Sequence, residues 1–496
     1  QRTIKADIQK LYISPKSVRL ITERLPYPQS GILSHIQAMG PLQAEGTLSY
    51  HPELINGQIN LHTELGALSL SGSLTHKNEI QAALYTPNFN LGKLTDKEKQ
   101  WGEIALNISG KGTLHQKQPP SFSLQGNIEK MTYKRHEYRD IAVNAQYKSH
   151  KIEADIAVND PYLILTAQGE ADIQSSNPYL KGMISIRNFV PHALALTTQH
   201  KETTFQGNIN ADFSGNSIEN MEGSIGIQDF RMKTEEENYT TGPILFEAAD
   251  EQGKRTLTLH SDFIRGEMKG DFHLGTLITQ CRKLLHIYIP SFVKEPQLKK
   301  EASDEVFLSM HIDNVEPIKK IFGIPLEIRK PSHINGYFNS RTQELDFHAL
   351  FPSFNYAGQQ LDNLRIMSGC FNDSLSGIVQ FSKRIGKAPV DFKLQARAAN
   401  DNVLTELKWT NHTENVYKGA ISVDTRFMHD ENRKLLTDII FHPSLIIVND
   451  SAWNVHSSEI HLAPGLASIN KFTIEQDDRH LILDGRVSDS ESDSLT

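Results

Sequence analysis

Residues 151–173 read KIEADIAVNDPYLILTAQGEADI, and the hydrophobic period of that run is two. Ile152, Ala154, Ile156 and Val158 alternate with polar neighbours up to Asn159-Asp160-Pro161. Leu163, Leu165, Ala167, Gly169, Ala171 and Ile173 then alternate again. Two strands that share an apolar face and are joined by a tight turn make a hairpin. Leu257 and Leu259 repeat the pattern through Ser261-Asp262 to Met268, Gly270, Phe272 and Leu274. Phe392, Leu394, Ala396 and Ala398 alternate likewise. So do Leu445 and Ile447, which lead through Asn449-Asp450 to Trp453 and Val455. Phe472 and Ile474 pass through Asp477-Asp478 to Leu481 and Leu483. One dry face and one wet face per strand is antiparallel sheet behaviour. The expected fold class is all-β.

The hairpins also repeat. Apolar-x-apolar-x-Gly-x-apolar occurs at Leu68/Leu70/Gly72/Leu74, at Leu165/Ala167/Gly169/Ala171 and at Leu481/Leu483/Gly485/Val487, with a weaker copy at Met268/Gly270/Phe272. A second element reads Asn88-Phe89-x-Leu91-x-x-Leu94, then Asn188-Phe189-x-Pro191-x-x-Leu194, then Asn314-Val315-x-Pro317 with Ile318 and Ile321. A third echo maps Met131, Tyr133, Tyr138, Ile141 and Val143 onto Phe354, Tyr356, Leu361, Leu364 and Ile366 at a constant offset of 223. These echoes predict β-repeat units over residues 1–95, 96–195, 196–322, 323–428 and 429–496. The third unit carries an inserted helix over 276–289 and a charged linker over 294–305. Leu277, Ile278, Cys281, Leu284, Leu285 and Tyr288 are expected on its apolar side, with Gln280, Arg282 and Lys283 turned elsewhere and Pro290 as its stop.

A chain of 496 residues exceeds what one core usually organises. Its net charge of −8 argues against nucleic-acid binding, which needs a clustered basic surface. No apolar run reaches the length of a membrane span, and no signal peptide is visible. A start at Gln1 reads as an internal fragment of a longer protein, with any anchor lying outside it. Two cysteines, Cys281 and Cys370, make neither a disulfide framework nor a thiolate zinc site. Nucleophile-elbow, zinc-protease and phosphate-loop motifs are absent. Gly110-Lys111-Gly112-Thr113 is expected as a hairpin turn, and His456 and His461 as unrelated to a metal. The sequence predicts no enzyme, no cofactor and no metal site.

The runs Phe89-Asn90-Leu91-Gly92-Lys93-Leu94 through Trp101-Gly102-Glu103-Ile104, Asn159-Asp160-Pro161, and Tyr288-Ile289-Pro290-Ser291 resemble the translocation and assembly module (TamB/AsmA-like) family, especially its Bacteroidetes members. The strongest match is His442-Pro443-Ser444-x-Ile446-Ile447-Val448-Asn449-Asp450-Ser451-x-Trp453. The resemblance implies an elongated repetitive sheet curled into a taco-like hydrophobic groove. It also implies a periplasmic location, with an inner-membrane anchor outside this chain. The implied partners are phospholipids in the groove, a BamA-type outer-membrane barrel met through regions outside the chain, and nascent outer-membrane proteins. Groove candidates are Leu68, Leu70, Leu163, Leu165, Met268, Phe272, Leu481 and Leu483. The helix side formed by Leu277, Ile278, Cys281, Leu284, Leu285 and Tyr288 is the candidate lid.

Overall fold

The computed structural model describes residues 3–14, 17, 35, 38–113, 121–172, 177–198, 201–297, 303–386, 388–413, 416–488 and 493–495. The fold is all-β, with 32 strands among the described residues and only short helices between some of them. The chain divides into two compact units, Gln1–Ile244 and Leu245–Thr496. Ile173 and residues 298–302 of the expected charged linker lie outside the described residues.

In the first unit each strand pairs antiparallel with the next in sequence, from Ile4–Ile13 to Asn238–Thr240. Such a meander needs only short connections, and in both units the turn residues supply them. Tyr133 pairs with His136, Lys148 with Lys151, Phe371 with Ser374, Ala399 with Asn402 and Val448 with Ser451. The two residues inside each pair all have positive φ: Lys134-Arg135, Ser149-His150, Asn372-Asp373, Asn400-Asp401 and Asn449-Asp450. That mirror-image turn matches the right-handed twist of the flanking strands, and Asn and Asp tolerate its left-handed backbone. The 223-residue echo is visible in this geometry. Met131 faces Tyr138 around Lys134-Arg135, and Phe354 faces Leu361 around Ala357-Gly358. Asp140 and Asn363 then share the same positive φ, 49° and 53°.

The hairpin at 151–173 forms, but its turn is shifted from the expected place. Asn159 and Asp160 belong to strand Lys151–Asp160, and Asp160 closes on Leu163. Pro161 and Tyr162 make the turn, with the fixed φ of proline suited to its first position. Gly110 to Thr113 are likewise not a turn but the end of strand Trp101–Thr113. Their alternation continues the period of two, which outweighs the turn preference of two glycines.

In the second unit the meander runs from Ile244–Glu251 through Lys418–His429, with one side branch where Leu326–Ile328 pairs with Glu344–Tyr356. After that, single long strands give way to pairs of short ones. Lys418–His429 bonds both Leu435–Phe441 and Ser444–Val448. Leu466–Gln476 bonds both Ser458–Ala463 and Ser451–Val455. The first break falls at His442-Pro443, where proline has no N–H for the ladder.

Asp160 is the main buried polar anchor of the first unit, its side chain 1% exposed. Its carboxylate accepts from the backbone N–H of Arg139 at 3.2 Å and of Tyr162 at 2.8 Å, and lies 3.2 Å from His136 Nε2. Asp160→Ala strips these donors of their acceptor, so the unfolding free energy should fall by about 1–3 kcal/mol. Asp160→Asn, which keeps one acceptor oxygen, should recover part of that loss in chemical denaturation. An unchanged midpoint for Asp160→Ala would contradict this role.

Candidate functional site

Strand register assembles the candidate site in the first unit. Across twelve consecutive strands, from Leu42–His51 to Glu222–Lys233, directly opposed residues form rows. One row runs from Leu48 through Gly57, Gly72, Ala82, Gly110 and Leu124. It continues through Ala145, Ala154, Gly169, Gly182, Ala211 and Ile225. Two residues along each strand, a second row joins Ile59, Leu70, Leu84, Ile108, Gly126 and Val143. It passes on to Ile156, Ala167, Ile184, Ile209 and Ile227. On the other side a third row joins Ile55, Leu74, Ile80, Gly112, Phe122 and Tyr147, then Ile152, Ala171, Leu180 and Phe213. None of the three contains a charged or amide side chain. The intervening positions carry the polar set, such as Gln125, Asn144, Asp155 and Gln168 in one line. Twelve strands at about 4.8 Å make this face roughly 50 Å long across the strands.

The middle row is small for a geometric reason. A Cβ on Gly169 would sit 2.7 Å from the Lys181 carbonyl oxygen and 3.0 Å from the Gly182 Cα. Small residues there let neighbouring strands crowd on the apolar side.

The described residues do not cover this face. Leu70 is 40% exposed, Leu180 42% and Phe122 51%. Leu48, Ile55, Ile59, Leu70, Leu74 and Ile108 line a concavity of about 590 Å³. Large apolar side chains this exposed, aligned along the open rows, form the kind of patch that serves as an interaction surface.

Toward one end of the strands the same face is closed. Leu65, Phe89 and Ile104 form one buried cluster, and Tyr138, Ile141, Val158 and Leu194 another. The repeated Asn-apolar elements provide the covers. Asn88 and Asn188 sit where the ladder shifts register, so the chain bends there before each cover. Helix α1 (Leu91–Thr95) starts at Asn90, whose side chain accepts from the Lys93 N–H at 2.9 Å. Leu91 and Leu94 pack on the first cluster. The second copy makes a turn in which Leu194 is fully buried. The third forms a short helix, Glu316–Phe322, in the second unit, with Val315 and Pro317 buried.

The groove candidates fall into distinct surroundings. Leu70 lies in the open rows. Leu68 packs against the Phe89 cluster, and Leu163 and Leu165 pack against the Leu194 cluster. The second unit holds the rest. Met268 is half-buried between Leu257 and Leu308, and Phe272 is buried just past its strand. Leu483 faces Phe472, while Leu481 faces Ile474 and is half exposed. Open-row residues such as Ile59, Phe122, Leu180 and Ile184 were each legible as alternating positions, but their alignment into rows depends on register.

Helix α2 (Leu274–Tyr288) takes the place of the expected 276–289. Its rotation differs from the expectation. Gln280, Leu284 and Tyr288 are buried, Leu277 and Cys281 are half-buried, and Ile278 and Leu285 face solvent. Anchors at both ends set that rotation. Asp304 accepts from the His273 N–H at 2.9 Å and the Thr276 hydroxyl at 3.0 Å. Beyond the helix, Ser291 donates its N–H and hydroxyl to Asp401 at 2.7 and 2.9 Å. Burial, a hydrogen bond to the Cys370 thiol and the Asp373 charge push the Tyr288 hydroxyl up to about 12. Asp304, Cys370 and Asp401 all lie at or beside strand ends, so α2 runs along the end of its sheet. Both cysteines are free thiols, and burial followed by the Asp304 charge pushes that of Cys281 up.

His456 and His461 each face a different carboxylate, Glu475 at 2.7 Å and Asp438 at 2.6 Å. Among the described residues no group of three His, Cys, Asp or Glu could hold a metal, and no helix is long and apolar enough to cross a membrane. No protein-family model and no curated protein matches the chain.

The open and closed parts of the apolar face should respond differently to truncation. Leu194→Ala leaves a cavity and should cost about 2–5 kcal/mol in chemical denaturation. Leu70→Ala, which removes a side chain already partly in water, should cost about 1 kcal/mol or less. Equal losses would mean that the open rows are in fact packed.

Proposed function

We propose that the chain is a lipid-conducting segment, with the open apolar rows of the first unit holding phospholipid acyl chains. The observation that carries this reading is three adjacent apolar rows, the longest through twelve strands, with large side chains such as Leu70, Phe122 and Leu180 left in water. Each methylene of an acyl chain moved from water onto such a face gains about 0.8 kcal/mol. Because the lining is uniform from strand to strand, one position resembles the next. A lipid can then shift along the rows without leaving a deep local minimum.

The resemblance to translocation and assembly module proteins supports a setting for this activity. In that setting the chain is the middle of a periplasmic bridge, tethered to the inner membrane and directed to an outer-membrane barrel of the BamA type by regions outside it. Phospholipid passage toward the outer membrane is then its contribution to outer-membrane biogenesis. Helix α2, lying along the strand ends of the second unit, acts in this reading as an end closure of that unit's own sheet.

Photo-crosslinking amino acids at Leu70, Phe122 and Leu180 should capture phospholipid in cells, with much weaker capture from Leu165 in the closed cluster. An ion on the apolar face must be desolvated or must hydrate the passage. Ala82→Asp should therefore abolish lipid capture at neighbouring positions in a protein that still folds. Crosslinks to polypeptide alone, with Ala82→Asp tolerated, would instead favour a scaffold for nascent outer-membrane proteins.

A further inference from the structure

The second unit carries a cationic concavity that the lipid reading does not use. On the polar side of the meander, Lys393 and Lys408 are direct cross-strand partners. Like charges placed opposite one another destabilise a sheet. Arg365 lies in the same row, separated from Lys393 only by Gln380. Lys418 follows on the next strand, opposite Thr410. All four cations line one cavity of about 810 Å³.

Their neutralisation within the protein is incomplete. Lys408 pairs with Glu406 at 2.8 Å. Asp391, the carboxylate in the lining, is engaged by the Ser382 hydroxyl at 2.6 Å and by His412 at 3.1 Å. Among the described residues, Arg365, Lys393 and Lys418 have no ion-pair partner. A chain of net charge −8 thus concentrates four cations on one concave site and leaves three of them unpaired. Solubility does not require that arrangement, and sheet stability opposes it.

We infer that this cavity binds a phosphate-bearing ligand, with Lys393, Lys408 and Arg365 contacting the phosphate oxygens and Lys418 closing the far side. Arg offers a planar fork to phosphate, and Lys offers mobile point charges. The inference rests on charge and register in the second unit and is independent of the acyl-chain reading of the first.

The test uses the full chain, following Trp409 in the cavity wall by fluorescence, with calorimetry alongside. The probes are inorganic phosphate and a short-chain phosphatidylglycerol below its micelle concentration. Saturable binding is expected, weakened at least tenfold by the double variant Lys393→Gln/Lys408→Gln and unchanged by Lys181→Gln, which removes a first-unit cation paired with Asp212. The double variant should also unfold at a higher temperature, because it removes the cross-strand repulsion. Equal affinity for both probes identifies free phosphate chemistry as sufficient, whereas preference for the lipid identifies a headgroup site. No saturable binding of either probe would overturn the inference. So would inorganic-phosphate binding, or lipid binding reported by Trp409, that the folded double variant retains in full.

Discussion

Cross-strand register is the constraint on which the rest depends. Side chains alternate with a period of two, so a slip of one residue between any two strands would turn an apolar set to the opposite face. From Leu48 to Ile225 no such slip occurs in the middle row, although every residue in it comes from a different strand. Ladder shifts do occur, at Asn88 and Asn188 among other places, but toward the end of the strands where the covers begin. The alignment of the open rows is thereby preserved while the chain is bent at one margin.

The covers and the open rows divide the work of stability and function. Phe89, Ile104, Tyr138, Val158 and Leu194 supply a conventional core along one side. That core allows Leu70, Phe122 and Leu180 to remain in water without unfolding the sheet. In the second unit, α2 is fastened by carboxylates at its two ends, Asp304 and Asp401, rather than by a broad apolar stripe. Buried charge-assisted hydrogen bonds fix position more sharply than apolar contact does.

Much of the fold was legible because alternation and turn chemistry are local. Asn449-Asp450 announces its mirror-image turn, and Ile152 to Val158 announce their strand. What sequence could not supply was anything set by pairing. Gly110-Lys111-Gly112-Thr113 has the composition of a turn, and only its partners in Ser121–Tyr133 show it to be strand. The candidates Leu68, Leu163 and Leu165 look the same as Leu70 in alternation. They differ because the Asn-apolar covers fold back over their end of the sheet. The rotation of α2 escaped the helical pattern because Asp304 and Asp401 are distant in sequence. Lys393 and Lys408, fifteen positions apart, become neighbours only through register.

The central claim is that the open rows of the first unit hold acyl chains. Native mass spectrometry of the purified chain, with gentle activation and fragmentation of the released adducts, addresses it most directly. The account predicts adducts of phospholipid mass that Ala82→Asp abolishes and Leu194→Ala, in a still-folded sample, does not. A chain that carries no lipid when isolated and takes none up from phospholipid vesicles would contradict it.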